Sequence, residues 1–309
     1  MSLRIFYHPL YSSLTLPERH RFPLAKYQGL FERLQVQGYP LGEAPSATRE
    51  QICRIHDADY VAAALNGQLA DRAIRKIGFP WSPMLMERTL RSVGATIAAS
   101  RYALEQGCGL QISGGYHHAH RDHGSGFCLF NDLVIAAQTC LDEGRCDQVL
   151  IVDLDVHQGD GSAALCAGRR DIITLSLHGE HNFPRHKPAS HLDFALPSGM
   201  QDDAYLDTLA QALTLALRLY NPDLVLYQAG VDVHHADELG YLAWSDEGIR
   251  QRDAMVFDCA IKHGLPVAAV PGGGYRREWQ QLIPLHMTLF EEARKRFGQT
   301  SMHAVYPDS

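Results

Sequence analysis

Across its 309 residues the chain carries 46% hydrophobic and 20% charged residues, the balance of a soluble globular protein with a sizeable core. A net charge of −7 leaves no electrostatic footprint for nucleic acid or an anionic membrane surface and mildly favours a cationic substrate. Seven cysteines without a CxxC pair imply reduced thiols, and the lack of a signal-peptide core or of an apolar run near ~18 residues sets the expectation of a cytoplasmic protein with no membrane span.

Residues 3–7 read as a short strand, followed by a turn-rich loop, HPLYSSLTLPERHRFP, that gives way to helical spacing over 24–36. The loop's His8 and His20 read as surface or packing histidines, because no partner stands at a metal-binding offset. Short helices are expected over 48–55 and 57–65, with Thr48 and Asp57 as N-caps and Gly67 as a stop. After the loop GFPWSP at 78–83, helical spacing over 84–106 predicts one long amphipathic helix closed by Gly107 and Gly109. Strands over 110–113, 149–153, 172–177, 224–228 and 266–270 then alternate with helices over 132–141, 203–219 and 246–263. That rhythm predicts a single-domain α/β fold, a mostly parallel sheet with helices on both faces, and the polar tail from about 299 is expected to be a loose end.

Chemistry gathers where the strands stop. The apolar, β-branched run 149–152 ends in Asp153, Asp155 and His157, which at alternate positions of an extended backbone would leave on one face. Oxygen and nitrogen donors without thiolate suit a hard or borderline divalent metal with an open position; the alternative is an Asp/His cluster that caps the strand end. Other strand ends lead into GGYHHAHRDHGSGFCLFND, AGVD and PGGGY, so histidines, acids, glycines and a tyrosine reach one edge of the sheet, where open α/β sheets bind ligands.

GGYHHA, GFCLFND, DLDVHQGDG, AGVD and GGGY, in this order, resemble the histone deacetylase family of zinc amidohydrolases within the arginase–deacetylase fold. The resemblance runs from about residue 3 to about 297 and is nearest to class IV, through ERHRFP near residue 20, the short glycine run PGGGY and the compact length. It implies Asp155, His157 and Asp232 as ligands of a zinc ion, with ferrous iron as the alternative. It further implies His117 and His118 as the tandem histidines, oriented by Asp153 and Asp160, with His118 moving the proton and His117 an electrostatic partner. Tyr275 matches the phenol that donates to the developing oxyanion, and Gly273 and Gly274, which free its loop, are expected among the substrate-binding positions. Phe127, Phe183 and Leu239 match the walls of a tube for an acylated alkylamine, and the Gly126 carbonyl an acceptor for the substrate amide. Backbone carbonyls of Asp153, Asp155, His157 and Leu177, with Ser176, match a structural monovalent cation site for potassium. The class IV likeness also implies an internal pocket for long acyl chains. His181, His186, His191, His234 and His235 match nothing and read as loop histidines, and GFPWSP offers no acid to clamp a peptide backbone.

The expected function is therefore removal of acyl groups from the ε-amine of lysine in protein or peptide. Deacetylation of acylated polyamines is the enzymatic alternative, and an acyl-lysine binding module the non-enzymatic one. A binuclear manganese hydrolase of the arginase type is disfavoured, because Gly159 and His234 stand where extra carboxylates are needed.

Overall fold

The computed structural model describes residues 2–298, so the tail from about 299 lies outside the described residues. Eight strands, β1 (Ser2–Tyr7), β2 (Leu41–Glu43), β3 (Gly107–Gln111), β4 (Val149–Asp153), β5 (Ile172–Gly179), β6 (Leu192–Leu196), β7 (Leu224–Gln228) and β8 (Val267–Val270), form one sheet. Their order is β2-β1-β3-β8-β7-β4-β5-β6 and every pairing is parallel. The helices are α1 (Lys26–Val36), α2 (Arg49–Cys53), α3 (Ala58–Leu65), α4 (Asp71–Ile77), α5 (Pro83–Gln106), α6 (Asp132–Asp142), α7 (Asp160–Cys166), α8 (Asp202–Leu219), α9 (Asp246–Lys262) and α10 (Leu282–Phe297).

The sheet is parallel because β4, β5, β7 and β8 are mostly apolar and buried at every position, which requires helices on both faces. Of those helices α5 lies along β1, β3 and β8, while α10 packs on β1, β3 and α9. The long α5 starts where Ser82 Oγ accepts from Leu85 N and Pro83 fixes the first turn; it stops at Gly107, whose φ of 110° turns the chain straight into β3. Thr48 and Asp57 cap α2 and α3 as expected, Thr48 through a reciprocal capping box with Gln51. Elements that the sequence did not announce are β2, β6, α4, α7 and α10. No helix among the described residues is long and apolar enough to cross a membrane.

Sheet order sets the position of the chemistry. The loops that carry the five motifs leave the carboxyl ends of β3, β8, β7 and β4, and these four strands are consecutive neighbours in the sheet. Residues more than 100 positions apart in sequence are thereby brought side by side.

Candidate active site

β4 ends at Asp153, so Asp155 and His157 lie beyond the strand and converge through bends, not through the extended alternation that the spacing suggested. Asp153 accepts from Asp155 N through Oδ1 at 3.2 Å and turns Oδ2 to His117 Nδ1 at 2.7 Å. From the neighbouring β7 end comes Asp232, whose Oδ1 accepts from Val156 N at 2.9 Å. His157 Nδ1 lies 3.1 Å from Asp155 Oδ1 and 3.0 Å from Asp232 Oδ2. Asp155, His157 and Asp232 are all buried, and each offers a ligand atom within 4.8 Å of the others. Two facing carboxylates and one imidazole, with no thiolate, suit a divalent cation. Burial and the charge of Asp155 raise the Asp232 carboxyl to about 6, whereas His117 and His157 outweigh burial and hold Asp155 well below the ordinary carboxylate range. A buried like-charge pair of this kind is relieved by a bound cation.

The glycine run after β8 closes this cluster. Gly273 N donates to Asp155 Oδ2 at 2.9 Å, and a Cβ on Gly273 would sit 2.2 Å from Asp232 Oδ2, so only glycine fits there. Gly274 backs onto Val231 and His286, whereas Gly273 also lines the inner cavity. Tyr275 follows, its ring centroid 6.1 Å from that of His157 and 6.0 Å from that of Phe127. Burial and the charges of Asp155 and Asp232 push its phenol well above its ordinary value, which keeps it a proton donor. Asp237, which the sequence reading passed over, staples this loop: Oδ2 accepts from Tyr275 N at 2.7 Å and Oδ1 from Leu239 N and Gly240 N.

The tandem histidines are placed by the FND stretch. Asp132 accepts from Gly115 N and Tyr116 N, and Asn131 both caps α6 and donates to Ala119 O, which pins the GGYHHA loop against the start of α6. His118 Nδ1 lies 2.6 Å from Asp160 Oδ1, and Asp160 Oδ2 is met at 3.1 Å by His120, a partner that spacing alone did not reveal. Burial and the neighbouring His117 lower His118 to about 4, against the pull of Asp160, so its imidazole is neutral at pH 7. His117 also suffers burial, but Asp153 and Asp155 outweigh it and raise this ring to about 9. One imidazole is thus ready to accept a proton beside another that is already charged.

A cleft of about 790 Å³ leads down to these groups, lined by Phe127, Phe183, Leu239, Gly126, His118, His157 and Tyr275. Phe183 is 47% exposed and meets the His118 ring edge-on at 4.9 Å. Phe127 adopts a φ of 67°, uncommon for a side chain of that size, and is held there by Gly126 N donating to Lys76 O and Phe127 N to Ile77 O. The unannounced α4 therefore uses its free carbonyl end to set one wall of the cleft. Gly126 O, matched to a substrate acceptor, takes a bond from Cys128 Sγ at 3.3 Å. Behind the ligand trio an inner cavity of about 20 Å³ is walled by Phe22, Tyr27, Tyr116 and the glycine loops.

Two buried cations support the site from below. Arg252 on α9 donates to Leu154 O, Ala229 O and Gly230 O, tying together the loops after β4 and β7. Lys26 at the start of α1 is 1% exposed; its Nζ donates to Gly272 O at 3.2 Å and lies 3.2 Å from His286 Nε2. Burial lowers Lys26 to about 8, opposed by Asp232, Asp155 and Asp237. Both residues stand on the apolar stripe of their helices, Lys26 in line with Leu30 and Leu34, and a cation on such a stripe is the signal that would have found them. Lys26→Met would leave the Gly272 carbonyl without its donor in a buried loop and is expected to cost about 1–3 kcal/mol in denaturant unfolding. A loss below ~0.5 kcal/mol would show that another donor takes over.

Of the remaining histidines, His20 donates through Nε2 to Gly78 O and stacks on Phe79, the packing role expected of it. His234 bonds Asp246, His235 bonds Trp244 O and His191 bonds Thr174, so these three hold structure together, whereas His186 lies on the cleft wall.

The family model for the histone deacetylase domain matches residues 20–288. An uncharacterized protein of Picosynechococcus is 42% identical over 95% of this chain and 99% of its own length. Histone deacetylase 2 of Arabidopsis thaliana is 28% identical over 88% of this chain and 74% of its own, and a histone deacetylase-like amidohydrolase of Pseudomonas aeruginosa is 28% identical over 82% and 69%.

Proposed function

The chain belongs to the histone deacetylase family and is a hydrolase acting on acyl-amide bonds, and we propose that its substrate is a lysine side chain bearing a short acyl group, hydrolysed with a zinc ion. The observation that carries this reading is the convergence of a buried Asp–His–Asp trio, a carboxylate-held neutral imidazole and a protonated phenol at the floor of one aromatic-walled cleft.

Asp155, His157 and Asp232 would hold the ion, which when bound supplies Lewis acidity toward the amide carbonyl and acidifies the attacking water. His118, neutral and oriented by Asp160, takes the proton from that water and returns it to the departing amine. His117, kept cationic by Asp153, offsets the negative charge that develops. Tyr275 donates its hydroxyl proton as a hydrogen bond to the carbonyl oxygen as it becomes an oxyanion. Phe127, Phe183 and Leu239 hold the methylene stem of the lysine, and the Gly126 carbonyl faces its amide. Ferrous iron has the same donor preferences and is the alternative ion. The potassium site over Asp153, Asp155, His157, Ser176 and Leu177 belongs to the same proposal, and Asp153 and Ser176 are register partners across β4 and β5.

Two features favour a short acyl group on lysine. The inner cavity of about 20 Å³ is little more than one water molecule needs, so a long chain would have to displace its walls. The outer cleft carries Lys76, and its one carboxylate, Asp160, is engaged by His118 and His120, so the wall offers no free acid to an acetylated polyamine. The test is a panel of lysine peptides carrying acetyl to myristoyl groups beside acetylated polyamines, assayed with the zinc-loaded protein. Efficiency is expected to fall with acyl length and to be low on polyamines. A series that rises with length, as each buried methylene can add up to ~0.8 kcal/mol, would overturn the short-acyl reading. Faster turnover of the polyamines would overturn lysine as the substrate.

A further inference from the structure

Beside the acyl cleft, across a ridge formed by Tyr275 and Leu239, lies a second groove of about 620 Å³. Its lining includes Arg19, Arg21, Arg276 and Arg277 against Glu18 and Glu238, a local positive excess in a chain whose net charge is −7. The segment ERHRFP supplies one side of it. His20 and Phe22 point inward: His20 Nε2 donates to Gly78 O at 2.7 Å, Phe22 N donates to His20 Nδ1 at 3.2 Å, and the Phe22 ring packs on Tyr27, Phe79 and Phe127. Alternation then sends Arg19 and Arg21 outward, where both are exposed and neither has an ion-pair or hydrogen-bond partner among the described residues. A turn this firmly anchored presents the two guanidinium groups on a fixed base.

The opposite wall comes from the segment that carries Tyr275. Arg276 donates to Gln281 Oε1 at 3.3 Å and to His234 Nδ1, which holds its guanidinium in the groove, while its buried Nε has no partner. Arg277 is drawn to Glu238 at 3.7 Å, so that acid is already engaged. Arginine forks on a fixed frame match carboxylates in geometry as well as charge.

We infer that the groove between Arg19, Arg21 and Arg276 binds an acidic stretch of the substrate polypeptide next to the acylated lysine. The inference rests on the lysine reading above and names the sequence context of that substrate. A polypeptide whose acyl-lysine fills the cleft crosses the Tyr275–Leu239 ridge within a few residues, at ~3.3–3.6 Å per extended residue. Asp or Glu side chains there meet the unpaired guanidinium groups of Arg19 and Arg21, whereas Lys or Arg meet like charge. Local potential thus reverses what net charge alone suggested about a cationic substrate.

The test uses labelled acetyl-lysine peptides flanked by Asp/Glu, by Ala or by Lys, with binding read by fluorescence anisotropy and turnover by steady-state kinetics. Nε-acetyl-lysine amide, which cannot reach the groove, is assayed beside them. Acidic flanks are expected to lower Kd and KM about tenfold relative to basic flanks at low salt, with kcat little changed, and the preference should shrink as salt rises. Arg19→Glu/Arg21→Glu should abolish or invert the preference, and Arg19→Ala/Arg21→Ala should reduce it, each compared as a ratio within one protein. Equal Kd and KM for all flanks in the wild type, or a full acidic preference in both double variants, would overturn the inference. Turnover of the amide together with indifference to flanks would overturn the groove alone. No turnover of the amide or of any peptide would overturn the lysine reading, and the anisotropy series would still decide whether the groove selects acidic peptides.

Discussion

Asp232→Ala is expected to lose bound divalent metal and amide hydrolysis together, both to the limit of detection. Asp232 is fully buried in the loop that follows β7, and its Oδ2 shares His157 with Asp155, so its removal takes away one of the trio's two carboxylates. Deleting one of three protein ligands leaves two, fewer than a catalytic divalent site holds. Asp232 Oδ1 also accepts from Val156 N, so the alanine variant frees a buried amide as well, at about 1–3 kcal/mol. Asp232→Asn separates the two effects, because its amide oxygen can keep the bond to Val156 N while the charge is gone. The asparagine protein should remain near wild-type stability with greatly weakened metal binding, measured by elemental analysis after dialysis and by unfolding. Stoichiometric metal in a folded Asp232→Ala protein would dismiss this trio as the metal site.

Much of the frame behind that prediction is legible in the sequence. The runs over β4 and β7 are found at the bounds that the sequence indicates, because strands buried on both faces are nearly continuous apolar runs, broken here only at their last residues, Asp153 and Gln228. The short pieces escape for the converse reason. β6, LDFAL, is a half-exposed edge strand, β2 has three residues, and α4, DRAIRKI, is polar over most of its length and makes its contribution through terminal carbonyls. α10 escapes because Pro284 and His286 interrupt its apolar pattern near its start, although Pro is tolerated in a first turn and His286 is buried against Lys26. At the site, motif order brought Asp155, His157, Asp232, His118 and Tyr275 to one place, yet the backbone does it by turning after Asp153. Lys26, Arg252, Asp237 and His120 could not be read from motifs, because each acts on a loop remote in sequence: Gly272, Gly230, Tyr275 and Asp160 belong to other segments.

His118→Ala is expected to keep its metal and lose about 10²–10⁴ in kcat, the usual share of a positioned general base and acid. Metal should stay because His118 is outside the trio, and its Nδ1 is committed to Asp160 at 2.6 Å. The proton it carries has no other taker nearby: His117 is raised to about 9 and so already protonated at pH 7, and the two rings stand 4.1 Å apart. The sign of the pH dependence follows from His118 being lowered to about 4 by burial and by His117. Its base form is present at neutral pH and is lost as pH falls through that value. Wild-type kcat/KM should therefore hold from pH 7 into the mildly acidic range and drop as pH approaches about 4, and the drop ascribed to this group should vanish in His118→Ala. Metal content measured at each pH separates loss of the ion from loss of the base. His117→Ala removes a charge 3.9 Å from Asp155 but no proton carrier, so it should lower kcat less than His118→Ala does. Normal turnover in His118→Ala with an inactive His117→Ala would mean that the two imidazoles have exchanged roles, and that Asp153 rather than Asp160 orients the base.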